Sequence, residues 1–478
     1  MRHCKGRRAL CACITGISLA VMLLCMPRAE AYTANQFQFG IGDAGFGFAG
    51  AFSAQADDAT AGWYNPGGLG LLYHSYFNAS GNAYYWEDAR MPAHLRFYSP
   101  TKRQRRSGEL AYKQIAATPT SLAYAISLGN KDINHVLGFG FYVPRYFSID
   151  STLKLDSQTI GDIRAVLNSK SEMTGRTIVA GPTYSLGIKD VFGIGLSMMI
   201  MYHNGHSAAE NEFAAYDQSG NMLFSKLENT RDTVNFWGMY FNLGLKTKIS
   251  GFHGGISIRT PRIRFHESIS GSSLALVASN ISGTPNARMP VDYDVEVDPG
   301  EAMDNSWRIR TGVAWKQPKV FAVEFDFIYD VFGGKYPALK TDANGNPTGI
   351  REIDNPEENI WNIAVGAEVY LIDSMVLRMG FFTDNSNVPS PPQDIPATDY
   401  GKYLLPHFDI YGGTLSLSYF TDNEPGNTKG LTVGIRYSRG EGDGMGTTID
   451  MDSMNQYYVR RNMVYQNVTL TLGGTVSF

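Results

Sequence analysis

Cysteine is scarce in this sequence and is confined to its first 25 residues. The four cysteines are Cys4, Cys11, Cys13 and Cys25, and residues 26–478 contain none. A stretch without cysteine forms no disulfide, carries no catalytic thiol and offers no thiolate to a metal. These three kinds of chemistry are therefore excluded for almost the whole chain.

Long apolar runs are also missing beyond the N-terminus. A membrane-spanning helix needs roughly 20 consecutive apolar residues, and residues 32–478 contain no such run. Residues 9–26 are mostly apolar and follow a basic stretch, and residues 29–31 read A-E-A, the small-residue pattern of a cleavage site. This order predicts a secretory signal peptide over residues 1–31. The alternative is a membrane anchor that stays attached.

Catalytic and nucleotide-binding motifs are absent as well. The sequence has no G-x-S-x-G, H-E-x-x-H or Walker glycine loop. Without residues 1–31 the chain has 36 basic and 44 acidic residues, a net charge of −8. An acidic balance disfavours nucleic acid, whose phosphates attract basic surfaces. The sequence therefore predicts a protein that is not an enzyme, has no cofactor or metal site and binds no nucleic acid.

The sequence does contain a repeated alternation of apolar and polar residues. Near the C-terminus, Val468, Leu470 and Leu472 alternate with Thr469 and Thr471. A period of two places the two sets on opposite faces of a strand. Segments of roughly ten such residues between turns are typical of a transmembrane β-barrel. The predicted strands are 73–86, 119–128, 135–148, 176–188, 191–203, 234–248, 253–268, 306–316, 319–330, 358–370, 375–384, 408–420, 430–440 and 466–478.

The connections between these strands are short and long in strict alternation. Short periplasmic turns and long extracellular loops are the rule for bacterial barrels. A soluble β-sandwich also alternates apolar and polar residues, but it has no reason to sort its connections in this way. The sequence therefore predicts an all-β fold, a 14-stranded antiparallel transmembrane β-barrel over residues 73–478.

Residues 32–72 precede the first predicted strand and are rich in glycine and alanine, with no alternation. A compact segment before a barrel is expected either to hang in the periplasm or to fold into the lumen. A segment in the lumen would prevent an open pore from leaking. The residues alone leave both placements open.

The stretch from Gly50 to Leu69 reads G-A-F-S-A-Q-A-D-D-A-T-A-G-W-Y-N-P-G-G-L. It resembles the N-terminal hatch of the FadL/TodX family of outer-membrane transporters for long-chain fatty acids and other hydrophobic compounds. Gly67 stands where the family often has alanine. Weaker resemblances follow at residues 118–124, 138–144, 255–261 and 377–389. The resemblance implies that residues 32–72 form a lumen plug, and it singles out the hatch residues Asp57, Asp58, Asn65 and Pro66.

The resemblance implies a monomer in the outer membrane of a Gram-negative cell. The family binds hydrophobic molecules among its extracellular loops and releases them sideways into the membrane, through a gap made by a kink in the third strand. Phe141 and Pro144 are the candidate kink residues, because proline has no N–H for the ladder. The alternative is that Pro144 only ends the strand. The final Phe478 resembles the terminal aromatic residue that the barrel-assembly machinery recognises.

Loop 149–175 is expected to contain a helix, as the family places helices there to form its outer ligand groove. Apolar residues in this loop have helical spacing. They are Ile160, Ile163, Val166 and Leu167.

Four arginines are candidates for binding a ligand carboxylate, because the planar guanidinium bonds both carboxylate oxygens. Ordinary charge balancing in the lumen, against Glu324, Asp326 or Glu368, is the alternative. The basic run 102–106 is either a contact for lipopolysaccharide phosphates or a solvated loop. The candidate arginines are Arg145, Arg259, Arg262 and Arg264.

Three functions compete at this point. A plugged transporter for hydrophobic molecules is favoured by the small-residue segment 32–72. The others are a general water-filled porin and a surface adhesin that binds through its long loops, with a lipid-active enzyme behind them. The sequence does not name the substrate.

Overall fold

The computed structural model describes residues 35, 40–99, 104–160, 163–279, 286–297, 306–333, 335–341, 347–354, 357–395, 403, 406–422, 426–450 and 456–478. The predicted signal peptide and residues 102 and 103 of the basic run lie outside this part of the chain. Within it, no helix is both long and apolar enough to cross a membrane.

Fourteen strands of the described chain form the wall of a barrel. They are β1 (Tyr76–Ser99), β2 (Gln104–Ser127), β3 (Ile133–Ile160), β4 (Ile163–Ile188), β5 (Phe192–Tyr216), β6 (Met222–Ile249), β7 (Phe252–Arg259), β10 (Trp307–Gln317), β11 (Phe321–Val331), β14 (Ile360–Ile372), β15 (Met375–Asp384), β17 (His407–Asp422), β18 (Lys429–Asp450) and β19 (Gln456–Ser477).

Five further strands lie beyond the wall at its extracellular end. Strand β8 continues the line of β7 after Pro261 and pairs with β6 and β9. Strands β12 and β13 form a separate hairpin, and the short β16 pairs with β19. Their bounds are β8 (Ile263–Ser279), β9 (Asn286–Val297), β12 (Lys335–Thr341), β13 (Pro347–Asp354) and β16 (Asp394–Ile395).

The wall strands pair antiparallel with their neighbours, and the ladder closes on itself. The closing seam joins β1 to β19, from Tyr76 paired with Ser477 to Arg90 paired with Val464. The terminal Phe478 adds two backbone bonds to Ser75, of 3.0 Å each. The predicted 14-stranded antiparallel barrel is therefore confirmed.

Alternation along each strand separates the two faces of the wall. In β11, Val323, Phe325 and Phe327 are exposed on the outer face, whereas Glu324 and Asp326 are fully buried on the inner face. Because the ladder satisfies the backbone, such an apolar outer band is stable in lipid. Other apolar side chains of this band are Leu122, Phe139, Leu196, Val313, Trp315, Met379, Leu415, Val433 and Leu472.

The connections at the periplasmic end are tight turns. Lys189 and Asp190 join β4 to β5, Ser250 lies between β6 and β7, and Lys319 lies between β10 and β11. All four have φ between 51° and 57°. This left-handed conformation gives the twist that a tight hairpin turn requires. The predicted sorting of short turns to one end is therefore confirmed.

The predicted extracellular loops are wrong in their extent. Strands β1 to β6 contain 24 to 28 residues each, whereas roughly 9–11 residues cross a membrane. The strands therefore continue far beyond the membrane as paired hairpins. Most of the predicted loops 87–118, 149–175 and 204–233 belongs to these extensions. Polar residues on both faces hide them from a search for apolar alternation.

The helix predicted in loop 149–175 is likewise wrong. Strand β3 runs to Ile160 and β4 starts at Ile163. Val166 pairs with Ala214 of β5, and Leu167 pairs with Leu155 of β3. Isoleucine and valine favour strands, and a continuous ladder on both sides of β4 overrides four residues with helical spacing.

The N-terminal residues 40–72, which we call the hatch segment, lie inside the barrel. They contain two short helices, α1 (Asp43–Gly47) and α2 (Ala61–Tyr64), and a 3₁₀ helix (Pro66–Leu71). Glycines of the wall let the segment approach closely. A Cβ on Gly366 would strike Phe48, and one on Gly255 would strike the backbone of Ser53.

The outer end of β18 has glycine at every second position, on the face that points into the lumen. These are Gly440, Gly442, Gly444 and Gly446. Without side chains on this face, the hairpin of β18 and β19 leans over the rim. Its β18 edge then pairs in parallel with residues 95–98 of β1, and its β19 edge pairs with β16. A Cβ on Gly444 would strike Met91 of β1.

Candidate functional site

Two carboxylates of β11 hold the middle of the hatch segment. The backbone N–H groups of Ala54 and Gln55 donate to Glu324 at 2.6 and 3.1 Å. The N–H groups of Phe52 and Ser53 both donate to Asp326 at 3.2 Å. Four consecutive N–H groups of the hatch thus find their acceptors on two carboxyl groups of one strand. The role of these carboxylates is therefore to bind the hatch backbone, and Arg310 is the nearest ion-pair partner of Asp326, at 3.5 Å.

The predicted hatch residue Asp57 forms an ion pair with Lys316 of β10, with 2.5 Å between Oδ2 and Nζ. Lys246 of β6 donates to the carbonyl of Gln55 beside it. Burial alone would raise the pKa of Asp57, but the charges of Lys316 and Lys246 outweigh it and hold the pKa well below its usual range. Asp57 is therefore an ionised contact between hatch and wall.

Asp58 is in the opposite environment. Its carboxylate accepts from the N–H and hydroxyl of Thr60 at 2.7 and 2.6 Å. Burial, together with the negative charge of Asp43, raises the pKa of Asp58 to about 7. Two neighbouring aspartates thus differ because one faces lysines and the other faces a carboxylate.

Asn65 and Pro66 fix the start of the 3₁₀ helix. The side-chain oxygen of Asn65 accepts from the backbone N–H of Gly67 at 3.1 Å. The side-chain NH₂ group of Asn65 donates to the backbone carbonyls of Ser53 and Leu245 at 2.8 and 2.9 Å. Pro66 follows at the first helical position, where its missing N–H costs nothing. Asn65 therefore links the hatch both to itself and to β6.

Asp43 of α1 lies at the closing seam of the barrel. Its carboxylate accepts from the amide of Asn78 on β1 at 2.5 Å and from the hydroxyl of Thr432 on β18 at 3.1 Å. A Cβ on Gly473 of β19 would meet its side chain. One hatch residue thus contacts three successive wall strands.

Above the hatch, the inner face of the wall changes from polar to apolar. Most barrel lumens are polar. This part of the lumen is apolar instead, and it therefore suits an apolar occupant. Trp63 of the hatch packs on Tyr142 of β3, with 5.1 Å between ring centroids. Buried apolar side chains of the outer wall are Met91, Tyr142, Val179, Met199, Met201, Phe236, Tyr240, Phe382, Phe408, Ile410, Met463 and Tyr465.

The seam between β2 and β3 is interrupted beside this apolar region. Residues 114–120 of β2 and 143–149 of β3 have no ladder partner across the seam. Pairing is continuous between the gap and the periplasmic turn. Above the gap there are only two pairs, Lys113–Asp150 and the one that follows it. The wall thus has an opening in its hydrogen bonding, which we call the seam gap.

Two prolines lie opposite each other in the seam gap. The pairs on both sides of the gap share one register, which places Pro119 of β2 on the same rung as Pro144 of β3. Neither has an N–H, so neither can donate a ladder bond. Strand β3 continues to Ile160, so the alternative that Pro144 ends the strand is wrong.

Both strands also change face at this level. Towards the turn, every second residue of β2 points inward through Ser121, and above that point the inward set runs through Thr120 and Thr118. On β3 the register against β4 shifts between Tyr142 and Arg145, and the inward set changes parity there. Phe141 is half-buried on the outer face, directly below the shift.

The four predicted arginines are not equivalent. Arg264 forms an ion pair of 2.6 Å with Glu267, so its charge is balanced within its own strand. Arg145 donates to the carbonyl of Asn35 at 3.0 Å. Charge balance against Glu324, Asp326 or Glu368 does not describe them, because the first two bind the hatch and Glu368 pairs with Arg378 at 2.7 Å.

The other two arginines lie on the apolar side of the lumen. Arg259 stacks over the ring of Tyr240 at 5.4 Å and is the cross-strand partner of Arg308. Arg262 approaches the sulfur of Met201 at 3.8 Å and is within electrostatic reach of Arg145. The structure therefore gathers a positive region at the outer edge of the apolar wall.

Sequence reasoning missed three features of this site. It did not identify Glu324 and Asp326 as anchors for the hatch, although acidic residues at alternate positions of an apolar strand are a visible signal. It also missed Pro119 and Gln114, which lie in the seam gap. For Pro119 the available signal was a proline within a predicted strand. For Gln114 the sequence offered no signal.

No protein-family model matches the chain, and no curated protein matches it in sequence. Solved structures do match it. A FadL homologue from Pseudomonas aeruginosa has a TM-score of 0.58 at 14% identity, covering 92% of this chain and 99% of that one. The toluene transporter TodX of Pseudomonas putida has a TM-score of 0.55 at 14% identity, covering 94% and 98%.

The toluene transporter TbuX of Ralstonia pickettii matches with a TM-score of 0.55 at 12% identity, covering 92% of this chain and 98% of that one. Each match extends over nearly the full length of both chains. This chain has the 14-stranded antiparallel barrel fold of the FadL homologue and of the TodX and TbuX transporters.

Proposed function

We propose that this protein is an outer-membrane transporter that takes up hydrophobic molecules and releases them sideways through the seam gap. The observation that carries the proposal is the position of the gap. It opens onto the apolar outer lumen and lies directly above the hatch. A ligand that has reached this part of the lumen meets a filled barrel below it and an interrupted wall beside it.

The apolar outer lumen favours a hydrophobic ligand over ions or sugars. Burying one CH₂ group stabilises a ligand by about 0.8 kcal/mol, so an acyl chain gains several kcal/mol along such a wall. A water-filled channel through the centre would forfeit this gain. Passage from the apolar lumen into the bilayer preserves it, which supports sideways release over passage to the periplasm.

Phe141, Pro144 and Pro119 are the residues that we propose keep the seam open. The two prolines remove ladder donors from the same rung, and the change of face at Tyr142 turns the backbone away from a regular ladder. Phe141 adds an apolar side chain to the outer side of the gap, where a ligand would leave for lipid.

Arg259 and Arg262 are the residues that we propose bind an acidic headgroup, when the ligand has one. Both are half-buried beside aromatic or thioether groups, so a carboxylate there would be only partly hydrated. A charged hydrogen bond contributes about 1.5–3 kcal/mol under such conditions. Arg145 is near them but also holds Asn35, so we assign it a double role. Arg264 is left out because Glu267 already balances it.

The relatives support the same class of substrate, since two of them are toluene transporters and the third is a FadL homologue. Long-chain fatty acids remain part of the proposal rather than a separate one. We also propose export by residues 1–31, recognition of Phe478 by the assembly machinery, contact of the basic run 102–106 with lipopolysaccharide, and a monomeric state.

The test is uptake by cells that express the full chain, with hexadecane and hexadecanoic acid as the two probes. We expect uptake of both above cells with an empty vector. Arg259→Gln together with Arg262→Gln should weaken binding of the acid and so lower its uptake from a dilute solution about tenfold or more, while hexadecane uptake stays unchanged. Arg264→Gln is the matched control and should change neither.

Uptake of neither probe, together with the ion conductance of an open pore, would overturn the proposal and leave the porin. Binding of whole cells by a protein that takes up neither probe would instead favour the adhesin. Unchanged uptake of the acid by the double arginine variant would keep the transporter and discard the headgroup assignment.

A further inference from the structure

Gln114 is a buried polar residue at the upper edge of the seam gap. Its side chain is 2% exposed, and neither its carboxamide oxygen nor its nitrogen has a hydrogen-bond partner among the described residues. Burying an unsatisfied polar group costs about 1–3 kcal/mol. Gln114 therefore lacks the hydrogen bonds that an occupant of the gap could supply.

The chemistry of its neighbours limits what that occupant is. Gln114 is the cross-strand partner of Glu87 on β1, and both side chains are buried on the lumen face. Side chains of such a pair lie roughly 5 Å apart at their Cβ atoms. The Glu87 carboxylate accepts from the hydroxyl of Tyr85, and Tyr465 lies at 3.5 Å from the same oxygen.

The carboxamide of Gln114 is complementary to a neutral head rather than to an anion. A carboxylate has only acceptor oxygens, so it would leave the carboxamide oxygen of Gln114 without a donor. A hydroxyl or an undissociated carboxyl group has one donor and one acceptor, and the carboxamide of Gln114 offers the complementary acceptor and donor. The site therefore discriminates through the hydrogen-bond donor that only the neutral head carries.

We propose that Gln114 is a specificity-determining residue that binds the uncharged polar head of an amphiphile, a hydroxyl or an undissociated carboxyl, as it passes the seam gap. The inference rests on the proposed function and extends it. The arginines at the outer edge of the apolar wall attract acidic heads, whereas Gln114 selects the neutral form at the exit. Crossing in the neutral form also avoids taking a charge into hydrocarbon, which is expensive.

The experiment compares hexadecanol, which has a neutral head, with hexadecane, which has none. Uptake of both is measured in cells that express the full chain or its Gln114→Leu variant. Leucine keeps the burial and removes both polar atoms, so we expect hexadecanol uptake to fall about fivefold to tenfold while hexadecane uptake is unchanged. Gln114→Asn keeps the carboxamide and should restore part of the loss.

The matched control is Gln466→Leu on β19. Gln466 is one rung from the Glu87–Gln114 pair, as the partner of Asp88, but its side chain is on the outer face. This control should leave uptake of both probes unchanged. Heat-modifiable migration of each variant on a gel reports whether the barrel has folded.

The possible outcomes separate the two proposals. If the unmodified protein takes up neither probe, the transport proposal fails and this inference fails with it. If Gln114→Leu lowers the uptake of both probes equally, Gln114 stabilises the wall and does not bind the polar head of the ligand. If it changes neither, the carboxamide binds only water, and the transport proposal stands without this residue.

Discussion

The inner and outer halves of this lumen are built from the same fourteen strands but have opposite chemistry. Towards the short turns, the wall presents lysines, carboxylates and amides, and several of them are bonded to the hatch segment. Towards the cell exterior, the same strands present methionine, phenylalanine and tyrosine. The ladder follows this division, since the seam of β2 and β3 is closed beside the polar half and interrupted beside the apolar half.

The difference assigns two kinds of contact to the two halves of the lumen. Polar groups can bind a peptide segment firmly because each donor finds an acceptor in a fixed position. Apolar side chains offer no such fixed partners, so a ligand that slides along them is not held at any one point. The hatch therefore belongs with the polar half, and the ligand of the proposed transporter would belong with the apolar half.

Closing the seam gap should have the largest effect on this division. Because residues 26–478 contain no cysteine, Ala116→Cys with Phe147→Cys places two unique thiols on one rung of the gap. Joining the two thiols with a short bifunctional thiol reagent should abolish hexadecane uptake. The same variant without the reagent should keep it. The measurement is uptake before and after cross-linking in the same cells.

The control for this prediction uses the intact seam on the other side of β3. Ser148→Cys and Thr174→Cys lie on one rung of the ladder between β3 and β4. Cross-linking this pair adds a bond where the wall is already closed, so uptake should not change. Equal inhibition by both cross-links would show that the gap is not the exit.

Removing the hatch anchors should have the next largest effect. Glu324→Gln with Asp326→Asn replaces carboxyl acceptors by amides, whose NH₂ groups face the hatch N–H donors. Leaving a buried N–H group without an acceptor costs about 1–3 kcal/mol, so the hatch should loosen and single-channel conductance should rise severalfold. Asp330→Asn, which alters an ion pair of the outer half with Arg308, should leave conductance unchanged.

A substitution at the glycine face of β18 should have a smaller effect, limited to the rim. Gly444→Leu places a side chain where Met91 now lies and should weaken the docking of the hairpin by about 1–3 kcal/mol. Added protease should then cut residues 443–463 faster in intact cells. Gly333→Leu is the control, since a Cβ there meets nothing. Unchanged cleavage in Gly444→Leu would mean that the hairpin does not depend on this contact.

The smallest expected effect is the pH dependence of the hatch. The pKa of Asp58 is raised from 3.8 to about 7 in the folded protein. Its protonated form is therefore favoured by folding, and the stability linked to it is lost as pH rises from about 4 to about 7. The melting temperature should fall by a few degrees across this window. Asp58→Asn should flatten that dependence, and an unchanged slope would assign it to other groups.

The barrel was predictable from sequence because its physical cause is local. Alternation at Val468 to Leu472 needs only the period of a strand and the presence of lipid. The extracellular extensions were not predictable in the same way, because neither face of them meets lipid. In the extensions, pairing with the neighbouring strands determines the structure. Leu167 is an example, since its partners lie on β3 and β5.

The site was predictable in its ingredients but not in its arrangement. Pro144 stood out because a proline inside a strand removes a bond wherever the strand lies. That Pro119 shares its rung depends on the register of β2 against β3, which no single strand encodes. The role of Glu324 depends likewise on which backbone amides reach it from residues far away in the chain.

The contacts of Asp43 have a consequence for the order in which this molecule is assembled. The first and last strands of the barrel are the most distant in sequence, so their union carries the largest loop-closure cost. Asp43 bonds to β1 and β18 and touches β19. It can therefore hold the first and last strands near each other before the ladder between them forms. A hatch segment that folds before the barrel closes would act as a template for closure. We expect an Asp43→Ala chain to close its barrel more slowly while reaching the same final structure.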